Sequence, residues 1–510
     1  MTVARTLAVS LIGVTGQLVE VEADLSAGLP GLSFTGRADA SVVEARDRIR
    51  SAVLNSGLSW PNRRITVALL PADMRKVGAR FDLALAVAVL AAARVLPSEV
   101  IAATVWIAEL GLDGRLRPVR GVLPAVLAAR RAGVAQVVVA DGNAAEAALV
   151  SGVEVRAAGD LAEVIGWLRG EAPSPPRAAP AEPDAAPAPS ADLADVAGQG
   201  AAKRALEIAA AGAHHLYLIG EPGAGKTMLA ERLPALLPPL EDDAALEVTA
   251  VHSVAGALVP GAGLLRRPPF QAPHHTASVA ALVGGGSGLA RPGAISLAHR
   301  GVLFLDEAPE FAQSAIDGLR QPLESGQVVL HRGGGAVSYP ARFLLVAAAN
   351  PCPCGRRRRD CECTPNAKRR YRQRVSGPVL DRIDLHVFVD PVPHLDLLTD
   401  QPSCERSAEV AARVARARSA AAARWRELGC RTNADVPGTV LRRAPWRLPR
   451  TALAEAERHL RSGQLSARGF DRVLRLAWTV ADLAGRTIPD AGDVAEAVYF
   501  RTGRVSSWAA

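Results

Sequence analysis

Eight consecutive residues, Gly220-Glu221-Pro222-Gly223-Ala224-Gly225-Lys226-Thr227, fix the kind of ligand this chain handles. They match G-x-x-x-x-G-K-[ST] in full. Leu216-Tyr217-Leu218-Ile219 before them reads as a buried strand, and Met228-Leu229-Ala230-Glu231-Arg232-Leu233 after them reads as a helix. A strand, a glycine loop and a helix N-terminus together make an anion site: the loop amides point inward and the helix dipole adds partial positive charge. Lys226 is placed to hold the β- and γ-phosphates and Thr227 to set its hydroxyl on Mg²⁺. The pattern predicts a bound nucleoside triphosphate, with ATP and Mg²⁺ as cofactors.

Two further strand tips belong with this loop. Gly301-Val302-Leu303-Phe304-Leu305-Asp306-Glu307 reads as a central parallel strand ending in two acids at its carboxyl edge, where open α/β sheets bind ligands. Asp306 would hold the Mg²⁺ shell, and Glu307 would orient and deprotonate the attacking water. Phe343–Ala349 reads as a third strand, ending in Asn350. A neutral amide there can position water without adding negative charge, although asparagine is also a common turn residue.

The rest of the chain bounds the architecture. At 510 residues it is too long for one core, and 49% apolar residues suffice for several. With 59 Lys and Arg against 51 Asp and Glu, the formal charge of +8 suits a polyanionic partner without identifying one. No signal peptide and no apolar stretch long enough to span a bilayer is visible, so no membrane partner is expected. Six cysteines, four of them between Cys352 and Cys363, do not resemble a secreted disulfide framework, and the chain reads as cytoplasmic. Glu171–Ser190 carries seven prolines in twenty residues and is expected to run as a semi-rigid spacer without backbone pairing. The expected organisation is an α/β multidomain chain. It comprises an α/β domain over 1–170, a linker over 171–191, a P-loop α/β ATPase domain over 192–395 and a helical C-terminal domain over 396–510.

The P-loop, Asp306-Glu307 and Asn350, in this order, resemble the AAA+ ATPases. The runs Phe270–Ser278, Leu303–Glu307, Ala349–Gly355 and Ser376–Asp384 resemble the magnesium-chelatase-like branch, and within it the YifB/ComM family, whose competence members act as ATP-dependent branch-migration helicases. The resemblance covers essentially the whole chain. It implies a homo-oligomeric ring, expected to be hexameric, acting on branched or single-stranded DNA. It assigns Arg382, in Asp381-Arg382-Ile383-Asp384, as an arginine finger reaching the neighbouring subunit's nucleotide. Arg468, in Ser466-Ala467-Arg468, is assigned as the sensor-2 arginine. The helical C-terminal domain becomes the lid.

Two insertions resemble the pore-lining helix-2 insert and pre-sensor-1 hairpin of related helicases. Gly284–Pro292 reads as a flexible loop, and Gln327–Tyr339 as a hairpin with His331 and Arg332 near its tip. A pore needs positive charge that tracks phosphates without reading sequence, which Arg332 supplies; a solvated hairpin with no partner is the alternative. The densest basic region is a Cys-rich loop over 351–374, with Arg356–Arg359 and then Lys368-Arg369-Arg370-Tyr371-Arg372-Gln373-Arg374. Arg356, Arg369 and Arg370 are candidate DNA contacts, and contact with a neighbouring subunit is the other reading. Cys352-x-Cys354 and Cys361-x-Cys363 could close a tetrahedral Zn²⁺ site, although C-x-C is tighter than the usual C-x₂-C. Cys404 and Cys430 read as ordinary.

The N-terminal segments Gly111–Gly133 and Lys76-Val77-Gly78 resemble the proteolytic domain of Lon, a ribosomal S5 domain 2-like fold. Arg80 and Ala125 stand where that family has its serine and lysine, so neither nucleophile nor base is present and a docking, DNA-binding or assembly role is expected instead. The rival to a DNA motor is a chelatase motor driving metal insertion by a partner enzyme. Its ATPase motifs are much the same, whereas the Lon-like domain and the basic loop favour DNA. A regulator that only binds nucleotide is disfavoured by Lys226, Asp306 and Glu307 being intact.

Overall fold

The computed structural model of the chain describes residues 3–180, 191–259, 261–286, 290–332, 335–356, 360–391 and 405–503, with only the backbone of Arg332. The N-terminal part is built on a seven-stranded mixed sheet. Its strands are β1 (Val3–Ile12), β2 (Thr15–Ser26), β3 (Gly31–Thr35), β4 (Arg64–Leu70), β5 (Thr104–Ile107), β6 (Gln136–Ala140) and β7 (Glu154–Ala158). Their order across the sheet is β3-β4-β2-β1-β5-β6-β7. Strict alternation sets the faces: Val19, Val21, Ala23 and Leu25 are buried on one face, while Leu18, Glu20, Glu22 and Asp24 between them are part-buried on the other. Helix α1 (Ala40–Asn55) starts where the Asp39 carboxylate accepts from the Val42 N–H at 3.0 Å. Every residue of α2 (Asp82–Ala92) is buried, as its apolar run predicts, and its one charge, Asp82, accepts 2.8 and 3.0 Å bonds from Arg48. A further helix, α3 (Val122–Arg131), closes the other face of the sheet.

The proline-rich segment departs from its expectation. Its first residues run along the edge strand β7, where Ala157 N donates to Pro176 O at 3.2 Å and Ala178 N to Val155 O at 2.9 Å. Arg156 adds bonds to Ser174 Oγ at 2.6 Å and Pro175 O at 2.9 Å. Proline lacks a donor but keeps its carbonyl, and an outer edge does not need the missing N–H. Residues 181–190 of that segment lie outside the described residues.

The second part carries a five-stranded, all-parallel sheet. Its strands are β8 (Leu216–Gly220), β9 (Phe270–Gln271), β10 (Val302–Leu305), then, after a hairpin of β11 (Gln327–Arg332) and β12 (Gly335–Pro340), β13 (Leu344–Ala349) and β14 (Leu385–Val389). The order β9-β10-β13-β8-β14 sets the carboxyl ends of β8, β10 and β13 side by side. The helices are α4 (Gly200–Gly212), α5 (Lys226–Leu236), α6 (Asp242–Ala255) and α7 (Pro365–Gln373), followed by the C-terminal α8 (Ser407–Arg424), α9 (Arg450–Arg461), α10 (Ala467–Leu483) and α11 (Ala491–Thr502). The C-terminal helices share one apolar core with the sheet, and three tryptophans, Trp425, Trp446 and Trp478, interlock inside it with ring centroids 4.5 to 5.9 Å apart. The whole is a mixed α/β multidomain chain with a helical C-terminal region. No helix among the described residues is long and apolar enough to cross a membrane.

Helix α6 joins the two parts. Its Leu246, Ala250 and Val254 enter the apolar cluster of α3, Ser253 O accepts from the Gly121 N–H at 3.2 Å, and Ser253 Oγ bonds Glu146. Arg80 points into the same seam, donating to Arg120 O at 3.2 Å, and Ala125 is wholly buried beneath α6.

Behind β8 lies a buried polar network. Asp384 pairs with Arg472 of α10 and lies 3.4 Å from His214 Nδ1, and His214 Nε2 is 2.7 Å from Thr479 Oγ1. Burial alone would raise the Asp384 carboxyl, but Arg472 and His214 beside it hold it well below the carboxylate range. His215 Nδ1 accepts the Leu345 N–H at 3.1 Å, which requires the neutral ring, and burial draws its pKa from 6.5 to about 4. Between those two values the unfolded imidazole takes up a proton that the folded one refuses. Stability is therefore full above pH 6.5, falls as pH drops toward 4 and loses nothing further from this group below that. Chemical denaturation at a series of pH values is expected to show this loss, up to about 1.4 kcal/mol per pH unit per such group, and His215→Asn to flatten the slope. An unchanged slope in the variant would count against the assignment.

Candidate nucleotide site

The P-loop is shaped by what glycine permits. Gly225 caps α5 at φ +90°, a conformation other residues rarely take, and a Cβ on Gly220 would sit 2.4 Å from Val389 O of the adjacent strand. Between them the loop turns Lys226 inward. Its ammonium is 2.8 Å from Gly220 O, 3.0 Å from Glu221 O and 3.1 Å from Asn350 Oδ1. Burial lowers the Lys226 pKa while Asp306 and Glu307 oppose that fall. An anion entering the loop would meet a lysine whose present partners are neutral oxygens. Pro222, Gly223 and Thr227 are exposed at the mouth, with Ala224 buried under the loop.

Strand register brings the other tips to the same place. Leu305 pairs with Ala347, and Ile219 with Ala349, so Asp306, Asn350 and the P-loop share one sheet edge. Thr227 Oγ1 donates to Asp306 Oδ2 at 2.8 Å. A hydroxyl and a carboxylate in contact beside a buried lysine are the hard oxygen donors that Mg²⁺ takes together with phosphate oxygens. Glu307 adopts left-handed backbone at φ +49°, which turns its half-exposed carboxylate away from the strand.

Within the run Phe270–Ser278, nothing local in the sequence singles out His275. Here its Nδ1 lies 3.3 Å from Glu307 Oε2, with the His274 ring tilted against it at 4.1 Å between centroids. It stands directly against the carboxylate at the Asp306-Glu307 strand tip. Gln199 is a second such residue: left-handed at φ +57°, it donates to Ala224 O at 3.2 Å and Asp390 O at 2.6 Å, locking the P-loop base to the end of β14. The only local signal at these positions is a polar residue beside a turn, which sequence offers in many places.

The remaining candidates are spread around this centre. Arg382 is mostly covered, donates to Pro378 O at 2.5 Å and pairs with Glu324 of the same chain, while its Nε is buried without a hydrogen-bond partner. Arg468 is exposed in the first turn of α10. His331 and Arg332 occupy the last two pairs of the β11–β12 hairpin, opposite Ala336 and Gly335, and His331 is exposed. Gly333 and Gly334 at its tip, and Ser287, Gly288 and Leu289 of the first insertion, lie outside the described residues. Gly284-Gly285 pairs antiparallel with Arg291-Pro292, so the ends of that insertion are a short ribbon rather than a free loop.

The basic segment forms α7, capped by Thr364 Oγ1, which accepts from Ala367 N at 3.3 Å. Tyr371 is its one buried residue, so Arg369 and Arg370 face solvent. Arg356 is exposed and 3.7 Å from Glu362; Arg357–Arg359 and Cys404 are outside the described residues. Cys352, Cys354, Cys361 and Cys363 place their sulfurs all within 4.8 Å of one another.

An all-parallel sheet with a P-loop on one inner strand, two acids on the tip of another, the Asn350 strand between them and a helical C-terminal region packed behind defines an AAA+-type nucleotide-binding protein. Family models agree along the chain. That described as magnesium chelatase, subunit ChlI, matches residues 192–397; subunit ChlI of Mg-chelatase matches 21–143; and the ChlI C-terminal model matches 404–501. An uncharacterized protein of Mycobacterium tuberculosis is 53% identical over 98% of this chain and 99% of its own length. The uncharacterized protein YifB of Escherichia coli is 42% identical over 96% and 95%, and competence protein ComM of Haemophilus influenzae 40% over 98% of each chain. The chain belongs to the YifB/ComM family of magnesium-chelatase-like AAA+ ATPases.

Proposed function

We propose that this protein is an ATP-hydrolysing motor that remodels DNA, working as a ring of identical subunits, expected to be six, that drives branch migration during recombination or uptake of DNA. The observation that carries this reading is its likeness to a competence protein along 98% of both chains, with Lys226, Thr227, Asp306, Glu307 and Asn350 all present. Lys226 and Thr227 bind the nucleotide with Asp306 on Mg²⁺, Glu307 activates water, and Asn350 positions it. Arg382 acts across a subunit boundary and Arg468 acts from the lid. The exposed guanidiniums of Arg369 and Arg370 on α7, Arg356, and the hairpin pair His331 and Arg332 are the phosphate contacts. The N-terminal part, clamped by α6, serves as a mount for the ring rather than a protease.

ATPase turnover with and without forked DNA tests the reading. Stimulation is expected, with DNA affinity indifferent to sequence and falling steeply with salt because each neutralised phosphate releases counterions. Arg332→Ala is expected to lower the log–log salt slope by about one or less per bound subunit, for every sequence alike. A turnover rate indifferent to DNA, together with binding indifferent to salt, would instead favour a chelatase-type motor.

A further inference from the structure

The four clustered cysteines form a second built site a short distance from the nucleotide. Sulfur–sulfur distances are 3.2 Å for Cys352–Cys354, 3.4 Å for Cys352–Cys361 and 3.7 Å for Cys354–Cys361, with Cys363 inside the same 4.8 Å cluster. A disulfide would need a separation of about 2.05 Å. A zinc ion with four thiolates at about 2.3 Å spaces its sulfurs about 3.8 Å apart, which is the spacing this cluster approaches. The four residues come from two short arms, Cys352-Pro353-Cys354 and Cys361-Glu362-Cys363, facing each other across a polar loop that carries Arg356. Only Cys352 is buried; the other three are at or near the surface, so an apolar core does not account for their convergence.

What the arms connect gives the cluster its consequence. Cys352 lies two residues beyond Asn350, whose amide oxygen accepts from Lys226. Gly355, just past the first arm, lies beside the P-loop, close enough that a Cβ built on it would come within 3.8 Å of Pro222 Cγ. The second arm ends at Cys363, next to Thr364, the cap of the basic helix α7. Tyr371 on the buried side of α7 is hydrogen-bonded to the Asn350 backbone.

We propose that Cys352, Cys354, Cys361 and Cys363 bind one Zn²⁺ as four thiolates, and that the ion staples the Asn350 strand tip to α7. The site is closed and structural, with no position left for water. Its work is to give the cationic face of α7 a fixed orientation relative to the γ-phosphate end of the nucleotide site. Loss of the ion frees both arms and removes its tie to the start of α7, leaving contacts farther along, such as buried Tyr371 and the Arg374–Glu310 pair at 2.9 Å, to hold the helix.

Elemental analysis of the full chain, purified without added metal, is expected to give about one zinc per chain. Cys361→Ser should lose it, and Cys430→Ser, outside the cluster, should keep it. Co²⁺ exchanged into the wild-type protein should give the intense visible absorption of a tetrahedral thiolate site. Mercurial titration should release the zinc as four thiols react. Hydrogen exchange on the same samples provides the readout for the staple. Protection of residues 352–356 and 360–373 should drop on zinc removal while β8 and β10 stay protected, which also shows that the fold survives. Stoichiometric zinc in Cys361→Ser, zinc-free and Co²⁺-silent wild type, or a mass loss showing disulfides would each overturn the metal site. Unchanged exchange after zinc release would overturn the staple.

Discussion

Replacing Lys226 by alanine is expected to abolish ATP binding, while Glu307→Gln binds ATP as tightly as the parent and hydrolyses almost none. The ammonium is buried and turned into the loop, where its partners are two carbonyls and the Asn350 amide oxygen. With it gone, the incoming phosphates meet Asp306 and Glu307 without a compensating charge. Glu307 lies outside the cradle, half exposed and leaning on His275, so its amide variant leaves the phosphate contacts intact and removes only the proton acceptor. Equilibrium binding of a fluorescent nucleotide beside steady-state turnover separates the two. Equal affinity in Lys226→Ala and the parent would refute the assignment of the site.

Arg382→Ala is expected to bind ATP and assemble normally, with turnover reduced by about 10³–10⁵-fold, the scale on which arginine fingers act. Within one chain the guanidinium is folded back on Glu324 and the Pro378 carbonyl, away from solvent, so it serves its own subunit's structure and leaves its own nucleotide site without it. In the role proposed for it, Arg382 would work only when a neighbour draws it across. Mixing Arg382→Ala with Glu307→Gln protein should then restore part of the activity, because one class of mixed interface has an intact base and an intact finger. Proven mixed assemblies without any restored turnover would exclude action in trans.

The α/β class and the placing of strands beside glycine loops were legible because the chemistry of those segments is local. Leu216–Ile219, Val302–Leu305 and Leu344–Ala349 are apolar runs bounded by a glycine or polar residue, and a parallel sheet buried on both faces demands that composition. Long-range pairing was not legible. Nothing near His275 in the sequence points to Glu307, nothing in α6 marks it as the element that seats against Val122–Arg131, and no periodicity ties Glu324 to Arg382. The proline-rich segment misled for a physical reason: proline forbids donation, and the reading treated that as forbidding all pairing, although its carbonyls remain free to accept at an edge.

The two residues after Arg382 are fastened from behind: Arg501 of α11 donates to Ile383 O, and Arg472 of α10 pairs with Asp384. The segment bearing Arg382 is thus anchored in the C-terminal helices as well as in the sheet. If those helices tilt when a nucleotide arrives or leaves, the tilt is geared to Arg382, which on the function proposed above serves the next subunit. On that proposal each protomer would announce its own chemical state by the position of one side chain, through one ion pair and one carbonyl hydrogen bond, and firing order around an assembly would become a matter of leverage.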